Sequence, residues 1–158
     1  MEKIDHLQAA RVWQRVQQSA EALPDTAVPG TGLSTLWTHI RQQAADYLYL
    51  SRRFSGKDSS LLRQMFQQAQ GQAACLKGIC ALTATSLSVT PLTPSASRTT
   101  QQLLRQCCSR ALQLLQEYDA LSHDGRFGHV YARLATQQHT HCQNLLELLG
   151  KQQLFSAK

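Results

Sequence analysis

The sequence predicts an all-α protein, a four-helix bundle in which one long connection separates two helical hairpins. Three observations carry that prediction. Four segments place apolar residues every third and fourth position, the spacing of a helix with one buried stripe. Two of the joints between them are short and turn-like, whereas the third is long, polar and broken by proline. Glycine is sparse, and the four prolines all lie between Pro24 and Pro94, in the segments read as connections.

The chain opens with a predicted amphipathic helix over residues 3–22, with Ile4, Leu7, Val16, Ala20 and Leu23 roughly on one side, so that residues 1–23 form an N-terminal helix segment. "PDTAVPGTG" (24–32) holds two prolines and two glycines and is expected to be a linker. The bundle proper is expected over 33–150. Its first helix runs from about Leu33 to Phe54, with the stripe Leu33, Leu36, Ile40, Gln43, Tyr47, Leu50 and Phe54. The turn "SGKD" follows. Asp58 or Ser59 is expected to cap the second helix, which runs to about Ala84 on Leu62, Met65, Ala69, Gln72, Leu76 and Ile79.

"TSLSVTPLTPSAS" (85–97) reads as a crossover. The third helix runs from about Thr99 to Ser122 on Leu104, Cys107, Ala111, Leu114, Tyr118 and Leu121. After "HDGRFG" the fourth runs from about His129 to Gly150 on Tyr131, Leu134, Gln138, His141, Leu145 and Leu148, with Gly150 as its stop and 151–158 as a tail. All four stripes alternate by three and four, the pattern of a left-handed bundle. The halves also superpose. Gln72 falls on His141, Ala69 on Gln138 and Leu62 on Tyr131 at one offset, while Gln43 falls on Ala111 with a one-residue slip.

Composition narrows the function classes. The formal charge of +6 is spread over arginines with no run longer than two, which is not the clustered footprint of a nucleic-acid surface. The start of the chain lacks a continuous apolar signal-peptide core, and no apolar stretch approaches the roughly 20 residues a bilayer span requires. The five cysteines are odd in number and lack CxxC spacing, so free thiols in a reducing cytoplasm are expected.

Six positions near mid-bundle interrupt the apolar stripes: Gln43, Ala69, Gln72, Ala111, Gln138 and His141. One comes from the first helix, one from the third, and an i, i+3 pair from each of the second and fourth. That is the ligand layout of di-iron carboxylate bundles, with a Glu from each of two helices and Glu-x-x-His from each of the others. Here the chain resembles the ferritin-like superfamily, specifically small bacterial rubrerythrin-like domains. The segments "HIRQQAADYLYLSRRFSG", "FQQAQGQAACLKGI" and "YARLATQQHTHCQNLLELLG" resemble that family's first, second and fourth helices, and "CSRALQLLQEYDA" holds the third-helix position.

The resemblance implies a ferritin-like bundle in which the metal-binding positions are vestigial. None of its four glutamate positions is a carboxylate, and one of its two histidines remains, as His141. Two divalent ions about 3.5–4 Å apart need several anionic ligands to offset their charge. Glutamine offers a neutral amide oxygen and alanine offers nothing. The expectation is therefore a protein without cofactor, in which Gln43, Gln72, Gln138 and His141 hydrogen-bond across the core as one network.

An altered metal site, for iron or zinc, is the sharpest alternative. His141 would be joined by Cys75, Cys107 or Cys108, which lie about one turn from the layer. Against it, free cysteines are ordinary small core residues, and His139 and His141 diverge by about 200° on a helix. The acids Glu117, Asp119 and Asp124 with His123 gather at a helix end, where such residues serve as caps or solvated charges. No nucleophile with a base and no phosphate-binding glycine loop is found. The sequence thus points to a non-catalytic relative that acts by binding a protein partner or its own copy. A metal-dependent oxidoreductase built around His141 is the runner-up.

Overall fold

The computed structural model describes residues 29–123 and 125–156; the expected helix over 3–22 lies outside the described residues. The described residues form four α-helices: α1 (Pro29–Ser51), α2 (Gly56–Leu82), α3 (Thr100–Leu121) and α4 (Gly128–Ser156), with one 3-10 turn at Ser95–Ser97. Every residue of the four expected stripes is buried except Leu121, partly buried at the end of α3, and Phe54, partly buried in the turn after α1, which ends at Ser51 rather than at Phe54 as expected.

The buried side chains fall into two apolar clusters. One gathers Tyr47, Leu50, Leu62, Met65, Leu103, Leu104, Leu145 and Leu148. The other gathers Leu33, Leu36, Leu76, Ile79, Leu114, Tyr118, Tyr131 and Leu134. These clusters fix the direction of each helix. α1 and α4 run from the Leu33 end to the Leu50 end, and α2 and α3 run back. α2 and α3 are therefore parallel, so the connection 83–99 must return along the length of the bundle.

It does so along α1. The Ser88 amide donates to Ser34 Oγ (3.0 Å) near one end, and the Thr93 amide donates to Gln42 Oε1 (2.7 Å) near the middle. Ser95 Oγ donates to Asp46 Oδ1 (2.6 Å) further on, and Arg53 Nη1 donates to Thr100 Oγ1 (2.9 Å) at the other end. The connection is thus tied along α1 and the turn after it at intervals of one to two helical turns, and the bonds at Ser88 and Thr93 satisfy backbone groups of a long polar loop.

Helix ends differ from expectation in three further places. α1 begins at Pro29, inside the expected linker; proline suits a first helical position because its fixed φ is helical and its missing N–H would be unpaired there. α2 begins at Gly56 with Ser55 as N-cap, so neither Asp58 nor Ser59 caps it. Gly56 has φ +62°, which glycine alone adopts without strain, and Ser59 Oγ instead donates to the Ser51 carbonyl (2.7 Å) and binds the turn together. α4 does not stop at Gly150 but continues through the expected tail to Ser156. "KQQLF" contains good helix formers and no proline, and Lys151 Nζ reaches Asp58 Oδ1 at 3.1 Å on the first turn of α2.

The other ends follow the pattern closely. Thr99 caps α3 in a capping box, accepting from the Gln102 amide while Gln102 Oε1 accepts from the Thr99 amide. α2 closes with Thr85 N–H on the Cys80 carbonyl (2.8 Å) and Ala84 N–H on the Ala81 carbonyl (3.4 Å), which places Ala84 at φ +54° where glycine is usual. Between α3 and α4 the chain turns so tightly that a Cβ on Gly128 would run into the Ser122 carbonyl oxygen. Among the described residues no helix is long and apolar enough to cross a membrane.

Candidate functional site

The six interrupted positions meet in one layer between the two apolar clusters, and all six are buried: Gln43, Ala69, Ala111, Gln138 and His141 at 0 % exposure and Gln72 at 1 %. Ala69 and Ala111 pack with the Tyr47 cluster as apolar residues. The polar members need partners, since an unmet buried amide costs about 1–3 kcal/mol.

Gln138 is the hub. Its Nε2 donates to Gln43 Oε1 (2.9 Å) and to Gln72 Oε1 (2.8 Å), and its Oε1 accepts from Gln43 Nε2 (3.2 Å). Gln72 Oε1 accepts a second bond from Tyr118 OH (3.1 Å), and Gln72 Nε2 donates outward to Gln137 Oε1 (3.0 Å). Three helices are joined by amide pairs, and Tyr118 brings in the fourth.

His141 does not join that network, contrary to expectation. It turns toward the other cluster, where Nε2 lies 2.8 Å from Gln68 Oε1 and Nδ1 lies 3.3 Å from Tyr47 OH. A carbonyl oxygen only accepts, so Nε2 carries the proton and Nδ1 accepts from the tyrosine. The Tyr47 and His141 rings meet edge to face at 5.4 Å. Burial lowers the His141 pKa to about 4, which keeps the ring neutral at physiological pH. Burial, followed by the neighbouring Cys107, Cys142 and Cys108 thiols, raises the Tyr47 pKa well above its ordinary value, and burial also raises that of Tyr118. These hydroxyls remain donors.

The chemistry of this donor set does not fit a di-iron centre. It offers three neutral amides, one neutral imidazole and two alanines, with no carboxylate to balance two metal charges. The amide oxygens are also already committed: Gln138 Oε1 to Gln43, Gln43 Oε1 to Gln138, and Gln72 Oε1 to Gln138 and Tyr118.

The alternative ligands are divided between the clusters. Cys107 and Cys108 lie with Tyr47, Cys142 and the Leu50 end, whereas Cys75 packs with the Leu76 and Tyr118 end. Burial raises the pKa of Cys107, Cys108 and Cys142, the last to about 11, so these thiols stay protonated and are poor nucleophiles or metal ligands. Among the described residues no group of three His, Cys, Asp or Glu side chains converges as a metal site would require. His139 is exposed while His141 is buried, as their helical spacing requires.

A second polar cluster was not anticipated from the sequence. Asp46, with its side chain 0 % exposed, accepts from Gln42 Nε2 (3.1 Å) and Ser95 Oγ (2.6 Å) on Oδ1, and from Arg110 Nη1 (2.8 Å) on Oδ2. Gln42 in turn exchanges bonds with the Thr93 backbone in both directions. The signal available was a single acid, Asp46, in a helix whose one other formal charge is Arg41, and an arginine next to the central Ala111.

No protein-family model matches this chain, and neither a curated protein nor a solved structure matches it.

Proposed function

We propose that this chain is a ferritin-like, rubrerythrin-related protein whose di-metal centre has been replaced by a neutral hydrogen-bonded layer, and that it works by binding another protein or its own copy. One observation carries the reading. The positions where a di-iron bundle requires four Glu and two His hold Gln43, Ala69, Ala111 and Gln138 for the glutamates and Gln72 and His141 for the histidines, and their polar groups satisfy one another or nearby core side chains. Four buried carboxylates without metal would repel one another and lose hydration. Glutamine and alanine remove that cost, so the bundle needs no ion to fold. Helix direction supports the same lineage, since parallel α2 and α3 joined by one full-length crossover is the arrangement that family uses.

The reading is tested by elemental analysis of the chain purified without added metal and again after incubation with iron, zinc and manganese. The expected result is no stoichiometric metal and an unchanged melting temperature, because an ion held by the folded state alone would raise it. One tightly held ion per chain, lost in His141→Ala, would overturn the metal-free reading and support the oxidoreductase alternative.

A further inference from the structure

Beside their buried stripes, α1 and α2 bound a groove of about 550 Å³ on the outer side of their hairpin. Gln43 and Gln72 meet the same Gln138 amide, so the antiparallel helices lie with these two residues level. Counted from that level, Trp37, Arg41 and Lys77 share one end of the groove, and Leu48 and Phe66 share the other. Ala44, Ala45, Ala73 and Ala74 line the space between. Leu92 closes one rim, held there because the adjoining Thr93 exchanges backbone bonds with Gln42. From Trp37 to Leu48 the helical rise gives a length of about 16 Å.

The two ends differ in chemistry. Arg41 lies over the Trp37 ring at 4.7 Å, and its Nη1 is buried with no hydrogen-bond partner among the described residues. A guanidinium packed on an indole is limited in direction, and a dry N–H without an acceptor is costly. Lys77 adds a second cation, and none of the lining residues is acidic. The far end carries no charge. The fold by itself does not require this groove. At the offsets that superpose the two halves, the four alanines correspond to Leu112, Gln113, Cys142 and Gln143, and Arg41 and Lys77 to Ser109 and Leu146. The matching face of α3 and α4 therefore carries larger side chains and neither cation.

We propose that the groove binds a small amphiphile of the fatty-acid class, with a carboxylate head and an unbranched apolar tail. The carboxylate pairs with Arg41 and Lys77 and supplies the acceptor that the guanidinium lacks. The tail follows the methyl-lined track over the alanines, which suits a chain without branches, and ends against Leu48 and Phe66. The volume falls within the roughly 300–1,000 Å³ of small-molecule sites. The groove lies outside the glutamine layer, so this site stands or falls separately from the metal-free reading.

The test is calorimetric titration of the full chain with dodecanoate below its micelle threshold. One saturating site per chain is expected. Hexanoate, with its short tail, and dodecyltrimethylammonium, with the opposite charge, should each bind at least about tenfold more weakly. Arg41→Gln with Lys77→Gln should weaken dodecanoate by a similar factor, and Lys77→Gln alone, at an exposed position, severalfold. Ala45→Gln with Ala74→Gln, which copies the matching face of α3 and α4, should abolish binding while far-UV dichroism is unchanged. Absence of dodecanoate binding overturns the proposal, including the case where the chain instead sediments with phosphatidylglycerol vesicles. Equal affinity for the cationic amphiphile also overturns it, since the groove would then be an apolar patch alone. Dodecanoate binding that either pair of substitutions leaves unchanged overturns it as well, because the ligand would lie elsewhere.

Discussion

Two buried polar clusters lie within about one turn of each other on α1, and they solve the same problem in opposite ways. Gln43 faces inward to a layer of neutral amides, in which each group both gives and takes. Asp46, one turn on, faces the crossover and holds a full negative charge against Arg110, with Gln42 and Ser95 supplying further donors. A neutral layer loses about one hydrogen bond's worth when a member is changed, because nothing ionic is left behind. A buried ion pair loses far more when one partner goes, because the other remains charged and dry. The placement suits each role. Amide pairs join helices that already pack closely, and the charged pair pins a long loop that has little apolar surface of its own.

The comparison can be broken first at its charged side. Arg110→Ala should destabilise the fold by about 3–5 kcal/mol in a denaturant titration, since Asp46 stays buried and unpaired. Adding Asp46→Asn to Arg110→Ala should recover a large part of that loss, because the leftover group is then neutral. A loss below about 1 kcal/mol for Arg110→Ala, the usual worth of a surface pair, would show that water reaches this site.

Acid tests the neutral side. The His141 pKa is lowered to about 4 in the folded chain, whereas the unfolded chain protonates this ring near 6.5. Between those values the unfolded state binds the extra proton. The stability present above pH 6.5 therefore falls as pH drops toward 4, by about 3 kcal/mol in total. His141→Gln should flatten that part of the stability-against-pH curve; an unchanged slope would assign it to other groups.

Smaller effects sharpen the account within the glutamine layer. Gln138→Leu removes the hub, takes both amide bonds from Gln43 and leaves Gln72 with Tyr118 and Gln137 alone, for an expected loss of about 1–3 kcal/mol measured by chemical denaturation. Tyr118→Phe removes one donor, while Gln72 Oε1 keeps Gln138, so about 1 kcal/mol is expected. Equal losses in the two variants would contradict the hub assignment.

The same contrast explains what could be read from the sequence. The four helices, the long return between the second and third, and the six central positions were legible because each interrupts or continues a 3.6-residue period within one segment. Gln68 and Gln137 were not legible as partners, since each sits one position from a stripe and is recruited only by a side chain on another helix. His141 was placed in the right layer but with the wrong neighbours, because periodicity gives a face and not a rotamer. The Asp46 cluster joins residues 49 and 64 positions apart through an irregular loop, and no local pattern encodes such a meeting. Helix ends misled at Gly150, where glycine's preference for a left-handed stop was outweighed by the helix formers after it.

The central claim is that these six positions are the ligand positions of a di-metal bundle in neutral form. It is tested most directly by restoring them: Gln43→Glu, Ala69→Glu, Gln72→His, Ala111→Glu and Gln138→Glu in one chain that keeps His141. The account predicts that this variant is destabilised without metal, regains helicity and melting temperature on adding iron or manganese, and holds about two ions per chain. A restored chain whose stability and metal content do not respond to either ion would contradict it.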